Sequence, residues 1–234
     1  MRKSFVLFFC VVLLSGAQSQ VVVMDETVTP LDTVRPDLGP NGKRMFNTVM
    51  GFHLVIPTEV NDRAPVSLGA SNGFRIGYVW KYRLNNVFSL GYMVDFNTFN
   101  FRYKQNTIKD FPDTIIHQSQ SVGINTLGAA VFFRINFDAK RGNIMGHYLD
   151  LGAYADLNIS RYYRTKDEND LDEIIRTRVS RLSFIEKYQY GVYAAIGLNR
   201  FVLYGRYRFS DVFNSPYMSA EPPRLNVGIG FSIF

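Results

Sequence analysis

The stretch RIGYVWKYR, residues 75–83, alternates two kinds of side chain with a period of two. One face carries large aromatic and aliphatic groups, namely Phe74, Ile76, Tyr78, Trp80, Tyr82 and Leu84. The other face carries charged and small residues, namely Arg75, Gly77, Val79, Lys81 and Arg83. Successive side chains of a β-strand point to opposite sides, whereas a helix would scatter these aromatic groups around its circumference. The stretch therefore predicts a strand with two unlike faces.

The same alternation recurs in seven further segments of the chain. Their apolar residues fall at every second position within 50–56, 88–96, 127–137, 149–159, 188–198, 201–209 and 225–233. Long connections, at 58–72, 104–120, 164–183 and 211–223, alternate with shorter ones at 85–86, 138–146 and 199–200. Such sorting is typical of transmembrane barrels, which have short turns at one rim and long loops at the other. We therefore expect an all-β, eight-stranded antiparallel transmembrane β-barrel with an up-and-down meander.

The polarity of the two faces decides between a membrane barrel and a soluble sandwich. The apolar face has almost no charge, whereas the opposite face mixes Gly, Ser and Asn with single charged residues. A soluble fold would bury the apolar face, but a barrel in lipid turns it outward and keeps the polar face inside. The mean hydropathy of −0.05 averages both faces, although 15% of the residues are aromatic. Beyond the N-terminus, no apolar run is long enough for a transmembrane helix.

Charged residues recur on the predicted inward face. An eight-stranded barrel has a lumen that side chains can fill, and charges buried there need partners. A register that places Arg75 opposite Asp95, and one that places Arg134 opposite Asp150, would pair them. We predict a lumen ion-pair network formed by Arg75, Asp95, Arg134, Asp150, Asp156, Arg206 and Arg208.

Aromatic residues near the ends of the strands predict the two membrane interfaces, where Tyr and Trp are enriched. We expect the periplasmic girdle to contain Tyr78, Trp80, Tyr82 and Phe88. We expect the outer girdle to contain Tyr103, Tyr162, Tyr163, Tyr188, Tyr207 and Phe209.

Residues 1–19 have the features of a secretory signal peptide. Arg2 and Lys3 precede an apolar run from Phe5 to Leu14, and small residues follow before Gln20. Residues 20–46 are polar and contain three prolines, which indicates a periplasmic linker. The barrel would then occupy 47–234, with both termini in the periplasm. Removal of Cys10 would leave no cysteine, which excludes a disulfide scaffold.

Few residues are candidates for catalysis or metal binding. His117 lies in a long connection near Ser119 and Ser121, and a histidine there could activate a hydroxyl beside outer-leaflet lipid. His53 falls on an inward face, and His147 at the periplasmic end of a strand. The acidic segment 167–173 could hold Ca²⁺ but lacks the EF-hand spacing. We therefore expect no catalytic residue, no metal site and no cofactor.

The chain resembles small outer-membrane β-barrel proteins of the OmpA and OmpX size in three features. These are the signal peptide, the eight alternating segments and the terminal Phe234. The AQSQ sequence at 17–20, the proline-containing lead-in and the turn Arg141-Gly142-Asn143 resemble the PorT-like family. The resemblance implies an integral outer-membrane location and assembly by the outer-membrane assembly machinery. For the PorT-like group it also implies a link to protein secretion.

These features predict a non-enzymatic structural or interaction component of the cell envelope, which could support protein secretion across the outer membrane. An outer-membrane lipid-modifying enzyme and a narrow pore are the alternatives. The expected partners are outer-membrane lipid and lipopolysaccharide, the assembly machinery, and envelope or secretion proteins. A formal net charge of +6 without a basic, aromatic cluster does not favour a nucleic-acid partner.

Overall fold

A computed structural model describes residues 39–57, 64–109, 111–138, 142, 144–168, 172–214 and 220–233. The predicted signal peptide, and the predicted linker as far as residue 38, lie outside the described residues. Within them, no helix is long and apolar enough to cross a membrane. The strands are β1 Arg44–Ile56, β2 Asn72–Arg83, β3 Phe88–Tyr103, β4 Ser119–Asn136, β5 His147–Glu168, β6 Ile174–Ser180, β7 Tyr188–Leu198, β8 Phe201–Arg208 and β9 Leu225–Ile233.

The strands form an antiparallel sheet that closes on itself. The order around the ring is β1, β2, β3, β4, β5, β7, β8 and β9, and β9 pairs back with β1. This arrangement confirms the predicted all-β antiparallel barrel. The first strand begins at Arg44, slightly before the predicted start of the barrel at residue 47. We call the rim with the short β2–β3 and β7–β8 connections the turn end, and the opposite rim the loop end.

The strand count differs from the prediction, because the described residues contain nine strands rather than eight. The additional strand β6 pairs with the last part of β5, from Tyr162 to Glu168, and extends the sheet beyond the ring. Prediction placed this region in a loop because charged residues interrupt its apolar alternation. Its sequence IIRTRVS is nevertheless rich in the β-branched residues that favour strands. The ring itself keeps eight strands.

Burial alternates along most of each ring strand. In β7, for example, Tyr188, Tyr190 and Val192 are exposed, whereas Gln189 and Tyr193 are buried. The exposed residues in the middle of the ring strands are apolar, whereas eight charged residues of these strands are buried: Arg75, Lys81, Asp95, Arg134, Asp150, Asp156, Arg206 and Arg208. This inside-out distribution is the one that a barrel in lipid requires.

A β-bulge in β5 reverses the faces in its last part. The register against β4 shifts between Asn125 and Thr126, where Thr126 pairs with Asn158 but Asn125 pairs with Ser160. The extra residue is Ile159, and beyond it the odd-numbered residues of β5 share the inward face of β4. An inserted residue has this effect because side chains alternate with a period of two.

The interior at the loop end is filled by apolar residues. At the loop end, strand residues and residues of the long connections form one apolar cluster: Val55, Ala64, Val66, Phe99, Phe101, Tyr103, Phe111, Val122, Ile124, Leu182, Ile185, Val212, Phe213 and Ala220. In this cluster the ring of Phe111 lies 4.8 Å from that of Phe213. The connections therefore fold over the loop end of the lumen, and the charged residues lie beneath them.

Candidate functional site

The first buried ion pair joins β2 and β3. Arg75 Nε lies 2.7 Å from Asp95 Oδ2, and the two side chains are only 1% and 3% exposed. The predicted register was wrong by two residues, because Arg75 lies opposite Asn97 and Asp95 lies opposite Gly77. The pair forms diagonally, since Arg75 is long and Gly77 has no side chain to obstruct it.

The second buried ion pair joins β4 and β5, where Arg134 lies directly opposite Asp150. The guanidinium donates two hydrogen bonds, Nε to Oδ1 at 2.6 Å and Nη2 to Oδ2 at 2.7 Å. Its central carbon also lies 3.5 Å from the centre of the Tyr148 ring. This planar two-bond contact and the stacked ring compensate for the removal of both charges from water.

The third buried ion pair crosses the lumen. Arg206 of β8 donates from Nη2 to both carboxylate oxygens of Asp156 on β5, at 2.8 and 2.7 Å, although β7 lies between the two strands. The Arg206 guanidinium stacks on Tyr154 at 3.7 Å. Residues on strands that are not neighbours cannot be paired by register, so the sequence identifies both partners but not the contact.

Arg208 lies apart from these pairs. It forms an ion pair with Glu221 and donates from Nη2 to the backbone oxygen of Pro222 at 2.9 Å. The prediction that Arg208 joins the lumen network is therefore replaced by a contact with the connection before β9. Glu221 lies in a segment without strand alternation, so no pattern assigned it a position.

Four tyrosines were overlooked as partners of the buried charges. Arg75 lies 5.0 Å from the rings of both Tyr193 and Tyr204, while Tyr148 and Tyr154 cover the other two guanidinium groups. All four fall on the inward parity of their strands, so alternation could have found them. Together with the ion pairs they fill the cross-section of the lumen.

His117 lies inside the loop end between two carboxylates. Its Nδ1 is 2.8 Å from Asp167, and its Nε2 is 3.2 Å from Asp113, which also accepts a hydrogen bond from Tyr163. Ser119 and Ser121 share the outward parity of β4, and among the described residues neither is hydrogen-bonded to His117. Neither serine is therefore placed to be activated by His117.

The electrostatics of this cluster favour charged groups that are paired with one another. Burial by itself would raise the pKa of Asp113, but hydrogen bonds from Tyr163 and His117 and the charge of Lys109 lower that pKa below its usual value. Burial lowers the pKa of Lys109, and Asp113 opposes that shift. The cluster thus ties the β3–β4 connection to the inner face of β5.

The remaining histidines and the described part of the acidic segment form other contacts. His53 is buried in the lumen, with Nδ1 3.4 Å from the Tyr204 hydroxyl, and His147 pairs with Asp138 near the turn end. In the acidic segment, Glu168 accepts a hydrogen bond from Gln118, and residues 169–171 lie outside the described residues. No three acidic, histidine or cysteine side chains come together as a metal site within the described parts.

The predicted interface aromatics lie on the outer surface of the ring. Those of the turn-end girdle are Tyr78, Trp80, Tyr82 and Phe88, and those towards the loop end are Tyr188, Tyr207 and Phe209. Trp80 stacks on Tyr92 with 4.9 Å between ring centres. The prediction that Tyr103 and Tyr163 belong to the outer girdle was wrong, because both side chains face inward. Tyr103 packs inside against Phe111, and the bulge turns Tyr163 inward.

Comparison with known proteins identifies the family. The family described as "Outer membrane protein beta-barrel domain" matches residues 37–211. The chain belongs to this family. It is an outer-membrane β-barrel protein, and the closed ring with its apolar outer face agrees with that membership.

One similar solved structure is Ail, the attachment invasion locus protein of Yersinia pestis, crystallised with the heparin analogue sucrose octasulfate. The match has 9% sequence identity and a TM-score of 0.30, and it covers 80% of this chain and 94% of Ail. No curated protein matches the chain.

Proposed function

We propose that this outer-membrane barrel is a non-conducting, non-enzymatic component of the cell envelope, with a structural or interaction role. The filled lumen is the observation that carries the proposal. Three Arg–Asp pairs and four tyrosine rings occupy its cross-section. The cavity beside Arg134 and Asp150 has a volume of about 10 Å³, which is at the lower limit for one water molecule.

Conductance in planar lipid bilayers tests the closed lumen. The refolded protein is expected to give no stable current steps, with a general porin as the positive control. Reproducible single-channel steps would contradict the proposal and favour the narrow pore. The measurement is decisive because a continuous water path cannot pass a lumen blocked at the level of the ion pairs.

The enzymatic alternative is tested separately at His117. The cell's lipid A is expected to have the same composition with His117→Ala as with the unchanged protein, because in the described part of the chain this imidazole is paired with Asp113 and Asp167 and with no hydroxyl group. Mass spectrometry of extracted lipid A measures the outcome. A change in acylation or in phosphate content with H117A, and not with His147→Ala, would establish a catalytic role.

We further propose that the loop end faces the cell exterior and that both termini face the periplasm. Long loops at the external rim and short turns at the periplasmic rim are usual for such barrels. A cysteine introduced at Glu173 should react with a membrane-impermeant maleimide on intact cells, whereas one at Asn86 should not. The reverse labelling pattern would invert the orientation.

The β5–β6 hairpin is the surface that we propose for contacts with envelope or secretion proteins. It extends beyond the ring, and its Ile174 and Ile175 are each 52% exposed, with Val179 at 46%. Exposed aliphatic groups on a projecting hairpin are typical of contact surfaces. Co-purification of envelope proteins with the full chain should therefore be reduced by Ile175→Asp together with Val179→Asp. Unchanged recovery would remove the hairpin from the proposal. The PorT-like link to secretion stays a prediction.

A further inference from the structure

Basic residues align on the outward face of the sheet at the loop end. Cross-strand partners place Arg102 of β3, Ser121 of β4, Arg164 of β5 and Arg178 of β6 in one row. The next row contains Ser119, Lys166 and Arg176. We call these two rows, with Lys104 beside them, the basic face. Its cations come from three separate segments, namely the end of β3, the end of β5 and β6, which the fold brings together.

The basic face continues the lipid-facing surface of the same strands. Moving towards the loop end, the outward rows change from apolar to neutral and then to basic: Phe96, Leu127 and Leu157; Thr98, Asn125 and Ser160; Asn100, Gly123 and Tyr162; then Arg102, Ser121 and Arg164. From Phe96 to Arg102 the strand rises by about 20 Å, which a strand tilt of about 40° reduces to about 15 Å along the membrane normal. Arginine side chains can bend from that height towards lipid headgroups.

The register of the hairpin places like charges directly opposite each other. Arg164 faces Arg178, and Lys166 faces Arg176, an arrangement that destabilises a strand pair. None of these four forms an ion pair with a described carboxylate. Arg164 and Arg178 instead lie 4.4 and 4.5 Å from the Tyr162 ring. An anion between the rows would remove the repulsion.

A polar groove opens within the basic face. Its volume is about 560 Å³, and its lining includes Arg102, Lys104, Lys166 and the hydroxyl residue Ser119. Gln118 also lines the groove, and its amide donates to the Glu168 carboxylate at 2.6 Å. Three cations around a concave polar surface provide the donors that phosphate oxygens accept.

An apolar groove adjoins the basic face on the lipid-facing wall and lies mostly over β1, β2 and β9. Its volume is about 1190 Å³, and its lining reaches the outward row that contains Leu54, Asn100 and Tyr162, the row next to Arg102 and Arg164. Phe74 and Ile229 line the groove one row further towards the turn end. The two grooves therefore offer a site for an amphiphile, with cations around its headgroup and an apolar channel for its chains. Free phosphate has no acyl chain that could occupy the apolar groove.

We infer that the basic face binds the phosphate groups of an outer-leaflet lipid whose acyl chains occupy the apolar groove. The inference rests on the proposed orientation, in which the loop end faces the exterior. The ligand should be anionic because the cations of the basic face are not paired with described carboxylates. It should also have apolar chains because the adjoining wall is apolar.

Lipid binding in detergent micelles tests the inference with the full mature chain. The probe is diphosphoryl lipid A, compared with lipid A of the same acylation from which both phosphates have been removed. Native mass spectrometry should show binding of the diphosphoryl form that is at least about tenfold tighter. In Arg102→Gln together with Lys166→Gln that preference should be lost, because each charge-assisted hydrogen bond contributes about tenfold or more. Lys43→Gln with Arg44→Gln, which removes equal charge from exposed residues at the turn end, should bind as the unchanged protein does.

Three outcomes would overturn the inference: equal binding of both lipids, unchanged affinity in R102Q/K166Q, or an equal loss in K43Q/R44Q. Inorganic phosphate that competes at concentrations comparable to those of the lipid would also overturn the inference, because the ligand would then be a free anion and not a lipid. Heat-modifiable migration in electrophoresis shows that each variant is folded. Channel activity would refute the closed lumen without changing these lipid affinities, so the two proposals can fail independently.

Discussion

At the scale of single residues, the buried Arg134–Asp150 pair should contribute most clearly to stability. Arg134→Ala leaves an unpaired carboxylate that is 3% exposed, and the expected loss is about 3–5 kcal/mol of unfolding free energy. Urea unfolding in lipid vesicles measures the change. Arg224→Ala breaks a pair with side chains 33% and 39% exposed, and should cost no more than about 1 kcal/mol. Equal effects of the two variants would contradict a buried, desolvated pair.

Gly128 is a position at which the lumen has little room for a side chain. A Cβ at this position would lie 2.3 Å from Asp95 Oδ1 and 2.4 Å from Asp156 Oδ1, so two ion pairs approach each other over the bare backbone. Gly128→Ala is expected to destabilise the barrel by about 1–3 kcal/mol through overpacking. Gly142→Ala is the matched control, because no atom lies within 4 Å of its added Cβ. The same urea titration compares them, and a neutral G128A would show that the carboxylates can separate.

At the scale of elements, the β3–β4 connection should respond to acid. The lowered pKa of Asp113 means that its contacts stabilise the connection above the unfolded value of about 3.9 and are lost as pH falls through the folded value. The carboxylate is 32% exposed, so the contribution is at most about 1 kcal/mol. Amide exchange at His117, whose N–H donates to Gln105, should lose protection on acidification. Asp113→Asn should abolish this pH dependence, whereas Asp138→Asn should not.

The β5–β6 extension should be separable from the ring. Thr177→Pro interrupts the β6 ladder, but β6 has no ring neighbour other than β5 among the described strands. We expect T177P to retain heat-modifiable migration, whereas Ala194→Pro in β7, which pairs on both sides, should abolish it. Hydrogen exchange should show the loss in T177P confined to residues 162–180. A T177P variant that fails to form the barrel would mean that the hairpin is needed for closure.

Alternation predicted the faces of the ring strands because lipid on one side and a narrow polar lumen on the other constrain every second residue. The β4–β5 register followed from Arg134 and Asp150, whose charges must meet. The same reasoning failed for Arg75, because a long side chain also reaches a diagonal partner. The bulge at Ile159 leaves no sign in the local pattern, so Tyr163 was placed on the wrong face. The contact between Arg206 and Asp156 depends on curvature of the whole ring, which no pair of neighbouring strands encodes.

At the scale of the whole molecule, ring closure and lumen filling depend on each other. Pairing of β9 with β1 leaves no open backbone edge among the ring strands, as hydrocarbon requires. The same closure makes the lumen narrow enough for Arg206 to reach Asp156 across it. The outer wall can then be almost wholly apolar, because the charges have been satisfied inside.

The single tryptophan of the chain reports this inside-out arrangement directly. Trp80 lies on the outer wall near the turn end and stacks on Tyr92, so its emission should be blue-shifted in bilayers. Lipids brominated close to the headgroup should quench it more strongly than lipids brominated near the chain end, since Trp favours the interface. Trp80→Phe together with Tyr193→Trp moves the only indole into the filled lumen, where both lipids should quench it weakly. Strong quenching of the lumen indole, or protection of Trp80 from both lipids, would contradict the assignment of the two faces.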